Sequence, residues 1–469
     1  MELRSRKQKG KDTTNGNKNA GYSGSSGEAG LSTGASLPFK IFHEYLGPLF
    51  FCSVCPWTTQ FIWYTAAKAD GSFLEAFRQL TRVEGFGDAI RTFFPFPSLL
   101  SVAVVFGYLF FALILHIIVP GKRFEGPVSP KGHVPVYKDN GLRCYFITLL
   151  SLLALTLVLK KFDMTPSIVY DRWGEVLCVL NFFAYSFCAL LFFKGILAPS
   201  SIEHGRTSSF MLDFFWGTEL YPRIKGVDVK VFTNCRFGMN VWALAVMLCT
   251  IKSYEVQGQF VLSSTVSAII HLAYLTKFFW WEAGYMRTID IMLDRAGFYI
   301  CWGCLVWVPG FYTIPSLYLA KNAPQMELAK GLLILAVGLA AIALNYDADR
   351  QKQHVRKENG DCQVWGSKAQ VIRASYKLES GETRENLLLV SGWWGIARHF
   401  HYVPELMLAL AWSLPGGSRH IMPYVYFLWL ILLLTHRTFR DDAKCMKKYG
   451  DAWAKYKKAV PYKMLPYIF

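Results

Sequence analysis

The sequence predicts an all-α polytopic membrane protein of about ten transmembrane helices, with a polar pocket facing the cytosol in its C-terminal part. Three observations carry this. Of 469 residues, 53% are hydrophobic and 18% charged, too apolar a balance for a large soluble chain. Ten apolar runs follow one another, near 45–66, 98–119, 142–160, 176–197, 236–252, 260–280, 297–320, 328–346, 403–414 and 421–436, and such runs are what a hydrocarbon layer demands of a helix. The basic residues also collect in alternate loops, the pattern that marks cytosolic segments.

Taken in order, residues 1–38 are polar and rich in Gly, Ser, Asn and Lys, with Arg4, Arg6, Lys7, Lys9, Lys11 and Lys18. They read as a disordered basic cytosolic tail without a signal peptide, so the first span would act as its own anchor. Residues 39–346 carry spans one to eight. Loop 67–97 balances four basic against four acidic residues, whereas loop 120–141 sets Lys122, Arg123, Lys131 and Lys138 against two acids. Loop 347–402 is strongly basic. An even number of spans with these loops inside places both termini in the cytosol. Within the polar stretch 348–385, the alternation in VIRASYKL predicts a strand or hairpin closed at Ser380-Gly381. Span nine stops at Pro415-Gly416-Gly417 and is short enough to be a half-span or a partner of span ten.

The formal charge of +17 does not point to nucleic acid, because the cations flank apolar spans rather than forming one soluble basic domain. Cys52/Cys55 and Cys301/Cys304 have CxxC spacing, but each pair stands alone in an aromatic span and reads as small buried hydrophobes. His399 and His401 lack the further histidine clusters an iron site would need, so no metal is expected. With no Gly-x-Gly-x-x-Gly turn and no Walker motif, a nucleotide would have to be met by cations. Lys352 and Arg356, at i and i+4 on a helix continuing from span eight, suit a phosphate monoester such as the 2′-phosphate of NADPH. A solvated helix face is the plain alternative, and spacing does not choose between them. Glu282, Arg287, Asp290, Asp294 and Arg295 lie between two spans, where ionisable groups are functional candidates by default, though a self-neutralised helix cap would look the same. Asp290 and Asp294 would share a helix face. A general acid is sought among Glu282, Tyr285, Asp290, Asp294 and Tyr312. Around the last two spans, Arg398, His399, His401 and Tyr402 on one side and His436, Arg437, Arg440, Asp441 and Asp442 on the other form either a polar pocket or a juxtamembrane basic collar.

The closing stretch then resembles a family. His436, Arg437, Arg440, Asp441, Cys445, Lys448, Tyr449 and Gly450 match the signature His-Arg-x-x-Arg-Asp-x-x-x-Cys-x-x-Lys-Tyr-Gly of the sterol reductases. The similarity runs from about residue 38 to 469. It implies a cytosolic-facing cofactor pocket in the part 347–469, with NADPH held by Lys352, Arg356, Leu389, Trp394, His401, Tyr402, Asp441, Cys445, Met446, Lys447, Lys448, Tyr449 and Tyr456. His401 departs from the animal members, which carry Asn. The sterol-binding part would be 39–346. The blocks Asp213-Phe-Phe-Trp-Gly, Glu219-Leu-Tyr-Pro-Arg223, 231–239 and 294–309 are most similar to the branch acting on the C7–C8 double bond of Δ5,7-sterols. That implies a sterol-biosynthesis oxidoreductase of the endoplasmic reticulum membrane, whose partners are the sterol and the bilayer, with association with other enzymes of the pathway left open. Protonation at C8 would leave an allylic cation at C7 to accept hydride. The alternatives are a Δ14-sterol reductase, a non-catalytic sterol receptor, and a membrane methyltransferase. The last shares an Arg-His-x-x-Tyr element, matched by Arg398, His399 and Tyr402.

Overall fold

A computed structural model describes residues 37–83, 85–379 and 381–469. Nearly all of the basic tail therefore lies outside the described residues, as does Ser380 of the hairpin turn. The ten apolar runs all fall on helices: α1 (Gly47–Lys68), α2 (Leu99–Ile118), α3 (Gly141–Lys160), α4 (Trp173–Leu197), α5 (Val229–Gln257), α6 (Leu262–Trp280), α7 (Phe298–Asn322), α8 (Leu328–Lys357), α9 (Tyr402–Ser413) and α10 (Val425–Tyr449). Seven of these, α2 to α8, are long and apolar enough to cross a membrane. They are of two kinds. The apolar windows of α5 and α7 are 78% and 83% buried, whereas those of α2 and α3 are 28% and 22% buried. Exposed Phe106, Phe110, Leu150 and Leu157 on the outer helices require hydrocarbon as their solvent. The molecule is a multi-pass membrane protein with α5 and α7 at its centre.

Local chemistry sets the ends. The Ser98 hydroxyl accepts from the Ser101 amide at 3.3 Å to start α2, and the Asp228 carboxylate accepts from the Val231 amide at 3.0 Å to start α5. Gly258, left-handed at φ 71°, closes α5. At the end of α9 the chain tightens into the turn Leu414–Gly416, where the Pro-Gly-Gly sequence lies.

Three segments differ from the expectation. Loop 67–97 contains two short helices, Phe73–Thr81 and Phe86–Phe93; the first is capped by Ser72 and buries Ala76, a docking that local periodicity over nine residues could not secure. In α7, residues 298–312 wind as a π-helix, in a stretch containing Gly303, Pro309 and Gly310; Pro309 donates no amide to the ladder. Residues 282–294 are not one helix but two single turns, Glu282–Tyr285 and Ile289–Met292, with Asp294 beyond the second. Asp290 and Asp294 therefore do not share a helix face, and what brings them together is a partner elsewhere in the chain.

The polar stretch after α8 forms the expected hairpin. Strand β1 (Val371–Lys377) pairs antiparallel with β2 (Thr383–Leu389), Val371 opposite Leu389. Helix α11 (Asp451–Ala459) packs on β1 through Trp453 and Tyr456, with Val460 just beyond its end in the same cluster. Arg398 donates to the carbonyls of Val460 and Pro461 at 2.6 and 2.9 Å, tying the start of α9 to the C-terminal segment.

Candidate functional site

The C-terminal end of α8, the hairpin, the start of α9 and the end of α10 meet at one place. Gly392 makes the turn that allows it: its φ is 63°, and a Cβ there would sit 2.1 Å from Gln351 Oε1. The close approach lets the Trp393 amide donate to Gln351 at 2.9 Å. Trp394 Nε1 donates to the Ala348 carbonyl at 2.7 Å, so the indole lies along α8. Lys352 Nζ then stands 3.6 Å over the Trp394 ring. Tyr456 reaches the Trp394 carbonyl, and the His401 ring lies 5.0 Å from Trp394 and 4.2 Å from Tyr402. From α10, Asp441 faces His399 at 3.8 Å and Cys445 at 3.7 Å, and Tyr449 accepts from Asn386 at 2.8 Å. Leu389 is sealed beneath Trp394. Thus most residues that the resemblance implied converge. Met446 and Lys447 are exposed, off the face formed by Cys445, Lys448 and Tyr449 at i, i+3 and i+4.

This end is cation-rich. Among the described residues Lys352 has one carboxylate within ion-pair distance, Asp349 at 4.0 Å, and Arg356 forms no ion pair, its Nε donating weakly to the Leu387 carbonyl at 3.4 Å. Burial, with Lys444 close by, pushes the Lys448 ammonium down to about 8. The Lys448 ammonium stands 3.9 Å over the Tyr376 ring. With so few carboxylates against Lys352 and Arg356 among the described residues, this end fits a polyanionic ligand such as a dinucleotide phosphate.

The acidic block is arranged in the opposite sense. Asp290 accepts from Arg437 at 2.6 Å and Asp294 from Arg440 at 3.1 Å, so the two arginines of the closing signature neutralise the two aspartates. Glu282 is paired with buried Arg236, which also donates to Asn140 at 2.7 Å. Tyr285 contacts Asn234. A carboxylate in an ion pair has no proton to give, and this weighs against Glu282 and Asp290 as acids. Asp294 differs, since burial pushes its carboxyl up to about 6 despite Arg440. The block is seated by glycine: a Cβ on Gly297 would lie 2.3 Å from the Gly217 amide nitrogen, and Gly217 has φ 101°.

Beside these ends lies a cluster of aromatic rings. Tyr312 sits 4.8 Å from Tyr426 and 5.4 Å from Trp429, and Tyr274 lies 5.7 Å from Trp412. Tyr274, Tyr312 and Trp429 keep part of their surface uncovered. Glu405, which the sequence reading missed, adjoins this cluster. It lies within hydrogen-bonding reach of Tyr274, accepts from Asn345 Nδ2 at 3.1 Å, and forms no ion pair among the described residues. The signal was present as a lone carboxyl in an apolar run, one helical turn after His401. Among the described residues no three His, Cys, Asp or Glu side chains gather as a metal site.

Fold and site together define a multi-pass membrane protein with a cation-rich cleft at one end. Residues 53–469 match the family described as "Ergosterol biosynthesis ERG4/ERG24 family". The chain is 46% identical over 427 residues to the 7-dehydrocholesterol reductase of Arabidopsis thaliana, covering 91% of this chain and 98% of that protein. It is 36% identical over 370 residues to the Xenopus laevis enzyme of the same name, covering 78% of each. It is also 34% identical over 355 residues to the Delta(14)-sterol reductase of Methylotuvimicrobium alcaliphilum, covering 76% and 80%. The chain belongs to the ERG4/ERG24 family of sterol reductases.

Proposed function

We propose that this protein reduces the C7–C8 double bond of Δ5,7-sterols with NADPH, in the endoplasmic reticulum membrane, with both termini in the cytosol. The observation that carries the choice among sterol reactions is the near full-length 46% identity to a relative named 7-dehydrocholesterol reductase. The cation-rich cleft supports the cofactor. NADPH, when bound, supplies a hydride.

The protein's own residues do the rest. Lys352, Arg356 and Lys448 hold phosphate charge, and Trp394, His401 and Tyr402 wall the cleft. Glu405, through Tyr274, holds a proton beside the aromatic cluster, the group needed to protonate C8 and leave an allylic cation at C7. The faces of Tyr312, Tyr426 and Trp429 steady positive charge there. The ion pairs Asp290–Arg437 and Asp294–Arg440 close the wall between block and cleft.

The test is turnover. Purified protein in lipid receives NADPH and 7-dehydrocholesterol, with an 8,14-diene sterol alongside, and products are read by mass spectrometry. Loss of the Δ7 bond is expected. Reduction of the 8,14-diene alone would move the protein to the Δ14 activity, and reduction of neither would overturn the reading.

A further inference from the structure

The geometry points to Lys230 as a positioning residue that sets the register of the acidic block against the cofactor-binding helix. This rests on the reading just given, and it concerns a residue outside every motif singled out in the sequence. Lys230 lies at the start of α5 and is 1% exposed. Its ammonium donates to three backbone carbonyls, those of Asp290 at 3.1 Å, Ile291 at 2.6 Å and Asp294 at 2.9 Å. Three donors thus meet three acceptors at the end of a single helical turn, whose last carbonyls have no partner within the turn. A cation at a helix C-terminus is also favoured by the peptide dipoles. The Tyr221 ring, 5.4 Å from the ammonium, covers another side.

The consequence lies on the far side of the same segment. While the backbone of 290–294 is held by Lys230, the side chains of Asp290 and Asp294 reach to Arg437 and Arg440 on α10. Arg437 is one turn ahead of Asp441 and two turns ahead of Cys445, and Arg440 is two turns ahead of Lys448 in the cleft. A segment of two single turns has too few internal hydrogen bonds to hold this register itself. The clamp therefore runs from Lys230 through the 290–294 backbone to Asp290 and Asp294, and from them to α10. Lys230 itself touches none of the residues assigned to cofactor or proton transfer.

The test compares Lys230→Met, which keeps the length and removes the donors, with wild type and Lys230→Arg in lipid. Lys352 and Arg356 lie on α8, outside the clamp, whereas Lys448 lies on α10 within it, so KM for NADPH is expected to rise two- to fivefold while kcat falls at least tenfold; Lys230→Arg recovers part of the loss. Unchanged kcat in a folded Lys230→Met protein overturns the proposal. So does an equal collapse of kcat, KM and melting temperature in both variants, which is the mark of a structural lysine alone. Hydrogen exchange gives a readout free of activity. Loss of protection is expected both in 289–294 and in 437–449, and loss confined to 289–294 overturns the coupling. If Lys230→Met does not fold, Lys230→Arg carries the same two measurements, with a smaller kcat loss and the same paired exchange pattern; protection unchanged in both segments overturns the clamp. If wild type itself reduces no sterol, the functional reading fails, and the exchange pattern still decides the clamp.

Discussion

The two charged regions of the site are built on opposite plans. In the acidic block each carboxylate has a cation: Glu282 has Arg236, Asp290 has Arg437, Asp294 has Arg440. In the cleft, among the described residues, Lys352 pairs with Asp349 alone, at 4.0 Å, and Arg356 with no carboxylate. Burying charge is costly unless it is matched. The matched region therefore spends its charges on architecture, and the cleft is left with charge for a ligand to match. Glu405 belongs to neither plan, since it lies beside the aromatic cluster and forms no ion pair among the described residues.

The comparison breaks first at the matched end. Arg236→Met strands Glu282, whose side chain is 1% exposed, and removing one partner of such a pair costs about 3–5 kcal/mol. Thermal unfolding in lipid should register that loss, and Arg236→Met with Glu282→Leu should recover part of it; an Arg236→Met protein as stable as wild type would mean the pair is not structural. Next comes the unmatched acid. Glu405→Gln keeps shape and hydrogen bonding to Asn345 while removing the proton, so kcat should fall by about 10²–10⁴ with the protein still folded and binding sterol. Wild-type turnover in this variant would remove Glu405 from the mechanism.

Two smaller effects depend on pH. Lys448, held down to about 8, is charged below that pH and neutral above it. Affinity for NADPH should therefore weaken as pH rises through about 8, and Lys448→Met should flatten that limb in part, since burial lowers the Lys352 ammonium as well. Asp294 has the opposite linkage. Its folded pKa of about 6 exceeds the unfolded value, so its contribution to stability is full below about pH 4 and is lost as pH rises through about 6. Asp294→Asn should remove this slope from a plot of stability against pH; a slope unchanged by the substitution would assign it to another group.

Much of the fold was legible because it rests on local pattern. Ten apolar runs gave ten helices, and alternation in VIRASYKL gave β1. Lys352 and Arg356 lie on the continuation of α8, as their spacing implied. The pairings that shape the site are not local. Asp290 meets Arg437 across 147 residues and Asp294 meets Arg440 across 146, distances over which periodicity carries no information. Glu405 was hidden for a different reason, as a single polar residue in an apolar run, read for the run rather than for the exception. Lys230 was hidden because its partners are backbone carbonyls, which leave no mark on a sequence.

The central claim, that the cation-rich cleft seats the dinucleotide phosphate, is tested most directly by titrating NADPH and NADH into wild type and Lys352→Glu with Arg356→Glu in lipid, with melting temperature as control. The account expects the double variant to lose about a hundredfold or more in NADPH affinity, two charge-assisted contacts at about 1.5–3 kcal/mol each, to lose preference for NADPH over NADH, and to melt like wild type. Unchanged NADPH affinity in the folded double variant would contradict it.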